Sequence, residues 1–154
     1  MKKIVLAAFV ALSAATVFAA ASDVSADVRV GYMRAEGGVN GVAGGVGGYY
    51  SLLKDAGFLQ NLSVGLDFDV LHVSGTTGVF VGPVAKAVMP YSYAKVGFGY
   101  EKFVNSALGL KVSLGGLMPV ADGMKVGLDF TFGEKLTNGS VWTIAIGPVF
   151  SIDL

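Results

Sequence analysis

Hydrophobic and polar side chains alternate along most of this chain. The clearest run is segment 62–70, where Leu62, Val64, Leu66, Phe68 and Val70 interleave with Ser63, Gly65, Asp67 and Asp69. Segment 108–114 repeats the pattern, with Leu108, Leu110, Val112 and Leu114 against Gly109, Lys111 and Ser113. Segments 124–132 and 142–154 do the same, the last one setting Trp142, Ile144 and Ile146 against Thr143, Ala145 and Gly147. A period of two is the signature of a strand with unlike faces, because successive side chains point to opposite sides. Weaker versions occupy 27–35, 42–52, 79–89 and 93–101, so the pattern predicts eight strands. Segment 42–52 is the least clear, since glycine falls on both of its faces. Polar or glycine-rich breaks separate the segments, as at 36–41, 74–78, 105–106 and 138–140 on one side and 54–57, 89–92 and 119–123 on the other. The fold class that follows is all-β: an eight-stranded antiparallel up-and-down barrel.

Alternation does not by itself say which face is outside, since a soluble barrel with an apolar interior also alternates. The charges decide it. Arg29, Asp67, Asp69, Lys86, Lys95, Glu101, Lys111, Lys125, Asp129 and Asp153 all share the polar parity of their strands, and the remaining charges sit in turns or at strand ends. A Lys or Arg facing lipid at the bilayer midplane costs about 2–4 kcal/mol. About half of the 23 glycines also lie on the polar face. An eight-stranded interior has room for small residues and a few long ones, but not for the Leu, Phe, Tyr and Trp of the other face. The apolar face is therefore expected outward, against lipid. Each segment is close to the roughly 9–11 residues that a tilted strand needs to cross a bilayer.

Composition points the same way. Charged residues make up 14% of the 154 and hydrophobic ones 53%, with mean hydropathy +0.66, which is too apolar for an ordinary soluble domain. The N-terminus reads as a secretory signal peptide over 1–21. Lys2 and Lys3 precede an apolar run at 4–17, and the small residues Ala19, Ala20, Ala21 and Ser22 follow. Cleavage after Ala19 or Ala21 is expected, with Ala26 a third site, leaving a barrel domain at 22–154. The balance of 11 basic and 11 acidic residues gives no basic excess for nucleic acid, and the absence of cysteine excludes thiolate metal sites.

Aromatics are expected in two girdles at the bilayer interfaces: Tyr32, Tyr100, Phe132 and Trp142 at one end, and Tyr50, Tyr91, Tyr93 and Phe150 at the other. The chain ends on Gly147, Phe150, Ile152 and Leu154 at alternating apolar positions after a glycine. This ending resembles the assembly signal of outer-membrane barrels, apart from a terminal Leu in place of Phe. With these features the segment 22–154 resembles the small eight-stranded outer-membrane barrels of the OmpA membrane-domain and OmpX kind. The resemblance implies an outer-membrane location, contact with outer-membrane lipid and lipopolysaccharide, the barrel-assembly machinery as a biogenesis partner, and a monomer.

Candidate chemistry is sparse. The inward charges Arg29, Asp67, Asp69, Lys86, Lys95, Lys111, Lys125 and Asp129 predict a mutually neutralising network that fills the lumen and blocks conduction. A narrow pore is the alternative reading of the same residues. The single histidine, His72, lies two residues before Ser74 on the outward parity. A His-x-Ser pair on the outer wall is similar to the lipid A deacylase family, although Gly75 stands where that family has Asn and no acid is evidently placed for a triad, Glu101 and Glu36 being the two that could lie at that height. A surface adhesin or receptor would use loops 36–41 and 133–140. No catalytic residue, cofactor or metal site is expected, and the reading favoured is a structural, membrane-integrity role.

Overall fold

The computed structural model describes residues 23–103, 105–136 and 141–154; the expected signal peptide and loop residues 137–140 lie outside them. The strands are β1 (Val24–Ala35), β2 (Val39–Ala56), β3 (Leu59–Val73), β4 (Thr76–Met89), β5 (Ser92–Phe103), β6 (Asn105–Ala121), β7 (Met124–Leu136) and β8 (Val141–Asp153). Each pairs antiparallel with its chain neighbours, and β8 pairs with β1 to close the barrel. Closure leaves no unpaired sheet edge.

The strands outrun the alternating segments that predict them. β2 covers 18 residues where 42–52 was expected, and β6 runs on through Gly115, Gly116 and Pro119. Alternation reports where the two faces meet different surroundings, whereas the hydrogen-bond ladder continues past that zone. Bulges at Ser51/Leu53 in β2 and Pro119/Ala121 in β6 absorb the extension. The connections are correspondingly tighter than expected. Ser74 and Gly75 both have positive φ, 46° and 82°, as a two-residue hairpin turn of the primed type requires. The β1–β2 connection is a three-residue turn, Glu36–Gly38.

The two halves of the barrel repeat one another. β3 and β7 carry the same pentapeptide, Val64-Gly65-Leu66-Asp67-Phe68 and Val126-Gly127-Leu128-Asp129-Phe130. β4 and β8 share Gly82-Pro83-Val84 and Gly147-Pro148-Val149, and β1 and β5 share Gly31-Tyr32 and Gly99-Tyr100. The geometry repeats with the sequence. Gly31 of β1 lies against Gly147 of β8, and Gly99 of β5 against Gly82 of β4, so closely that a Cβ on any of the four would overlap the neighbouring backbone. At both seams the pairing skips two residues, passing from Arg29↔Val149 to Tyr32↔Ile146 and from Val81↔Tyr100 to Val84↔Gly97. Pro83 and Pro148, which have no N–H to give the ladder, sit at these gaps. Gly65 against the Gly48 carbonyl and Gly127 against the Gly116 carbonyl form a second matched pair. Four sharp corners, one at every second strand junction, thus bend the sheet into a narrow cylinder.

Candidate functional site: the lumen

The inward face of each strand carries its polar set. Ten charged side chains are buried there, five acids (Asp27, Asp67, Asp69, Glu101, Asp129) and five cations (Arg29, Lys86, Lys95, Lys111, Lys135). Asp27, Arg29, Asp67, Asp69, Lys86, Lys95, Lys111 and Asp129 form a connected layer. Asp67, fully buried, accepts from Arg29 at 2.9 Å, Lys111 at 2.5 Å and the Tyr49 hydroxyl at 2.5 Å. Asp69 takes Arg29 at 2.7 Å and also Lys111. Asp27 takes Lys86 at 2.7 Å and Lys95 at 3.4 Å. Tyr49 links the two groups, since Arg29 and Lys95 both donate to its oxygen, at 3.2 and 3.5 Å. Its ring lies 4.6 Å under the Lys86 ammonium, and the Tyr93 ring lies 5.0 Å from that of Lys95. These distances are in the cation–π range. A second branch runs from the Tyr93 hydroxyl to Asp129 at 2.8 Å, then through Thr131 to Ser113. Among the described residues no buried side-chain nitrogen or oxygen lacks a partner. Buried ion pairs hold only when their remaining lone pairs and protons are satisfied in this way.

Apolar side chains flank this layer on either side. Val88, Tyr93, Leu117 and Val149 pack together toward the end that carries the chain termini. Met33, Val73 and Phe80 are buried toward the far end. Between the charges and the far end, a cavity of about 60 Å³ is bordered by Asp69, Glu101, Lys111, Thr131 and Gly133. That is room for a few waters and not for a substrate.

Several expected site residues stand elsewhere. Tyr93 is not a girdle residue: it points inward and is 1% exposed. It shares the parity of Lys95, and parity outweighs its position at a strand end. Lys125 is not part of the central layer. It sits at the terminus-side rim, half-exposed, bonded to Asp153 at 3.0 Å. Asp129, expected opposite a cation, is held instead by hydroxyls of Tyr93 and Thr131. Asp27, Tyr49 and Lys135 complete the lumen without having been singled out, although each shares the inward parity of its strand. Tyr32, Tyr50, Tyr91, Tyr100 and Phe150 are exposed on the outside, and Phe132 and Trp142 partly so. Gly147 faces inward at the β8–β1 seam, while Phe150, Ile152 and Leu154 fall on the other parity. The Leu154 amide bonds the Val24 carbonyl at 2.8 Å.

His72 is exposed on the outer wall, and its Nδ1 is hydrogen bonded to the Thr77 hydroxyl at 2.9 Å. Ser74 lies in the β3–β4 turn. Glu101, one of the two acids that could lie at the height of His72, points into the barrel beside Gly109, on the opposite side of the wall from His72. Among the described residues no group of three His, Cys, Asp or Glu side chains is placed to hold a metal ion.

No protein-family model and no curated protein matches the chain by sequence. Solved structures do match its fold. Neisserial surface protein A superposes with a TM-score of 0.58 at 13% identity, covering 85% of this chain and 96% of that one. The outer-membrane enzyme PagL gives 0.55 at 15% identity, over 83% and 99%. A transmembrane β-barrel designed de novo gives 0.54 at 18% identity, over 83% and 95%. At these identities the likeness is one of fold, and the fold it identifies is the small eight-stranded transmembrane β-barrel.

Proposed function

We propose that the protein is a non-enzymatic component of a bacterial outer membrane, a barrel whose lumen is sealed by its own charges and whose role is structural. Its N- and C-termini lie on the periplasmic side and the opposite turns outside. The observation that carries this reading is the layer of four acids and four cations, Asp27, Asp67, Asp69 and Asp129 with Arg29, Lys86, Lys95 and Lys111, each of them hydrogen bonded and the whole flanked by apolar side chains. An ion crossing it would have to displace carboxylates already held at 2.5–2.9 Å. Removal of one member of a buried pair costs about 3–5 kcal/mol, so spontaneous opening is rare. The reading includes cleavage of the leader 1–21, a monomeric barrel, delivery by the barrel-assembly machinery through the C-terminal strand, and no cofactor.

Planar-bilayer recording of the folded protein tests it. No unitary conductance is expected; stable single-channel steps would replace the sealed barrel with a pore. The deacylase reading is weakened by the Thr77 partner of His72 and the inward Glu101. Unchanged lipid A in cells carrying His72→Ala is the expected result. The adhesin reading is weakened by the tightness of the outer turns, since 39–41 and 133–136 are strand residues and not loop.

A further inference from the structure

The nine cations of the described residues sort into three places. Five line the lumen, and Lys54 and Lys125 sit at the periplasmic rim against Asp23 and Asp153. Only Arg34 and Lys102 stand on the outward parity, both at the far end, both exposed, and among the described residues neither is ion-paired. They also occupy matching positions in the two halves. Arg34 follows the seam motif Gly31-Tyr32 by two residues, and Lys102 follows Gly99-Tyr100 by two. Each therefore lies on the same outer stripe as an exposed tyrosine, about 6–7 Å further along its strand. Tyrosine marks the boundary between acyl chains and headgroups, so this step carries each cation to headgroup depth. Polar groups stand beside both. Arg34 pairs across the ladder with Asn40, and its guanidinium turns up against Gly38. Lys102 pairs with Ser106, whose hydroxyl is 2.6 Å from the Tyr100 oxygen.

We infer that Tyr32/Arg34 and Tyr100/Lys102 are two equivalent sites for lipid A phosphate, on opposite walls of the barrel. Each pairs a fixed positive charge with an aromatic ring along which an acyl chain lies. The inference rests on the reading above that the far end meets the outer leaflet. The same charges at the midplane would be costly, whereas near the interface the cost falls to about 0–1 kcal/mol and a phosphate supplies the counter-charge.

Native mass spectrometry of the folded full-length barrel in detergent, with added lipopolysaccharide, tests this without needing an orientation. At a lipid concentration near the wild-type dissociation constant, up to two adducts are expected on the wild type, the second strongly depleted on R34Q or K102Q, and both strongly depleted on the double variant. K125Q should behave as wild type. Loss of each cation should weaken binding about fivefold, as one basic group near an anionic surface contributes. On the unaltered protein, lipopolysaccharide stripped of its lipid A phosphates should bind weakly, and inorganic phosphate should not displace the intact lipid. Equal binding by the double variant, by the stripped lipid or by phosphatidylglycerol would overturn the inference, as would displacement by inorganic phosphate. A barrel that is folded and non-conducting yet binds no lipopolysaccharide would remove these sites and leave the sealed-barrel reading standing.

Discussion

Asp67 is the residue on which the lumen turns. It is fully buried and accepts from Arg29, Lys111 and Tyr49 together. Asp67→Asn leaves two buried cations sharing Asp69 and should destabilise the barrel by about 3–5 kcal/mol, read as a lower urea midpoint for unfolding from detergent. A midpoint equal to wild type would mean that the layer is not the buried network described. Glycine makes an equally sharp contrast. Gly127 packs on the Gly116 carbonyl with no room for a Cβ, while Gly48 has nothing within 4 Å of the position its Cβ would take. Gly127→Ala should cost about 1–3 kcal/mol through overpacking, and Gly48→Ala should be close to neutral; urea titration of the two variants side by side separates them.

At the scale of the strand, two bulges shift the ladder and two seams interrupt it. Val30–Gly31 faces Gly147–Pro148, and Phe98–Gly99 faces Gly82–Pro83, with no pairing registered across either. Successive amides of a strand point to alternate neighbours, so those of these residues that face the seam should exchange with solvent faster than those held by β2 or β6 on the other side, by hydrogen exchange of the folded barrel. Uniform protection along β1 and β5 would contradict the seam geometry. The existence of all eight strands was legible from alternation, because a two-faced sheet imposes a period of two on any residue that must choose a side. Strand ends were not, since β2 and β6 continue by way of bulges into regions where both faces meet similar surroundings.

For the molecule as a whole, the sorting of charge to the inside was readable from parity, and so was most of the lumen set. Tyr93 shows where that reading failed: it was placed by its depth in the bilayer, when its parity with Lys95 already put it inside. Asp27, Tyr49 and Lys135 carried the same signal. The twofold repeat escaped for another reason. The hairpins of the two halves differ in length, so the spacing between matched residues changes from strand to strand and no fixed period appears along the chain. Only the register of the closed barrel lines up the Gly-Pro seams, the bulges and the shared pentapeptide. The repeat also explains what diverged. The glycine corners are shared between the halves, while the lumen charges, apart from the matched Asp67 and Asp129, are not: Asp69 in β3 answers to Thr131 in β7, and Lys86 in β4 to Ser151 in β8.

All of this depends on an outer wall made for lipid and an interior closed by its own polar groups. The most direct measurement is electrophoresis of the purified folded protein with and without boiling in denaturing detergent. The account predicts two mobilities, with the unboiled form migrating as a compact folded barrel and converting to the slower unfolded form on heating. A protein that stays soluble and monomeric without detergent, and shows one mobility whether heated or not, would contradict it.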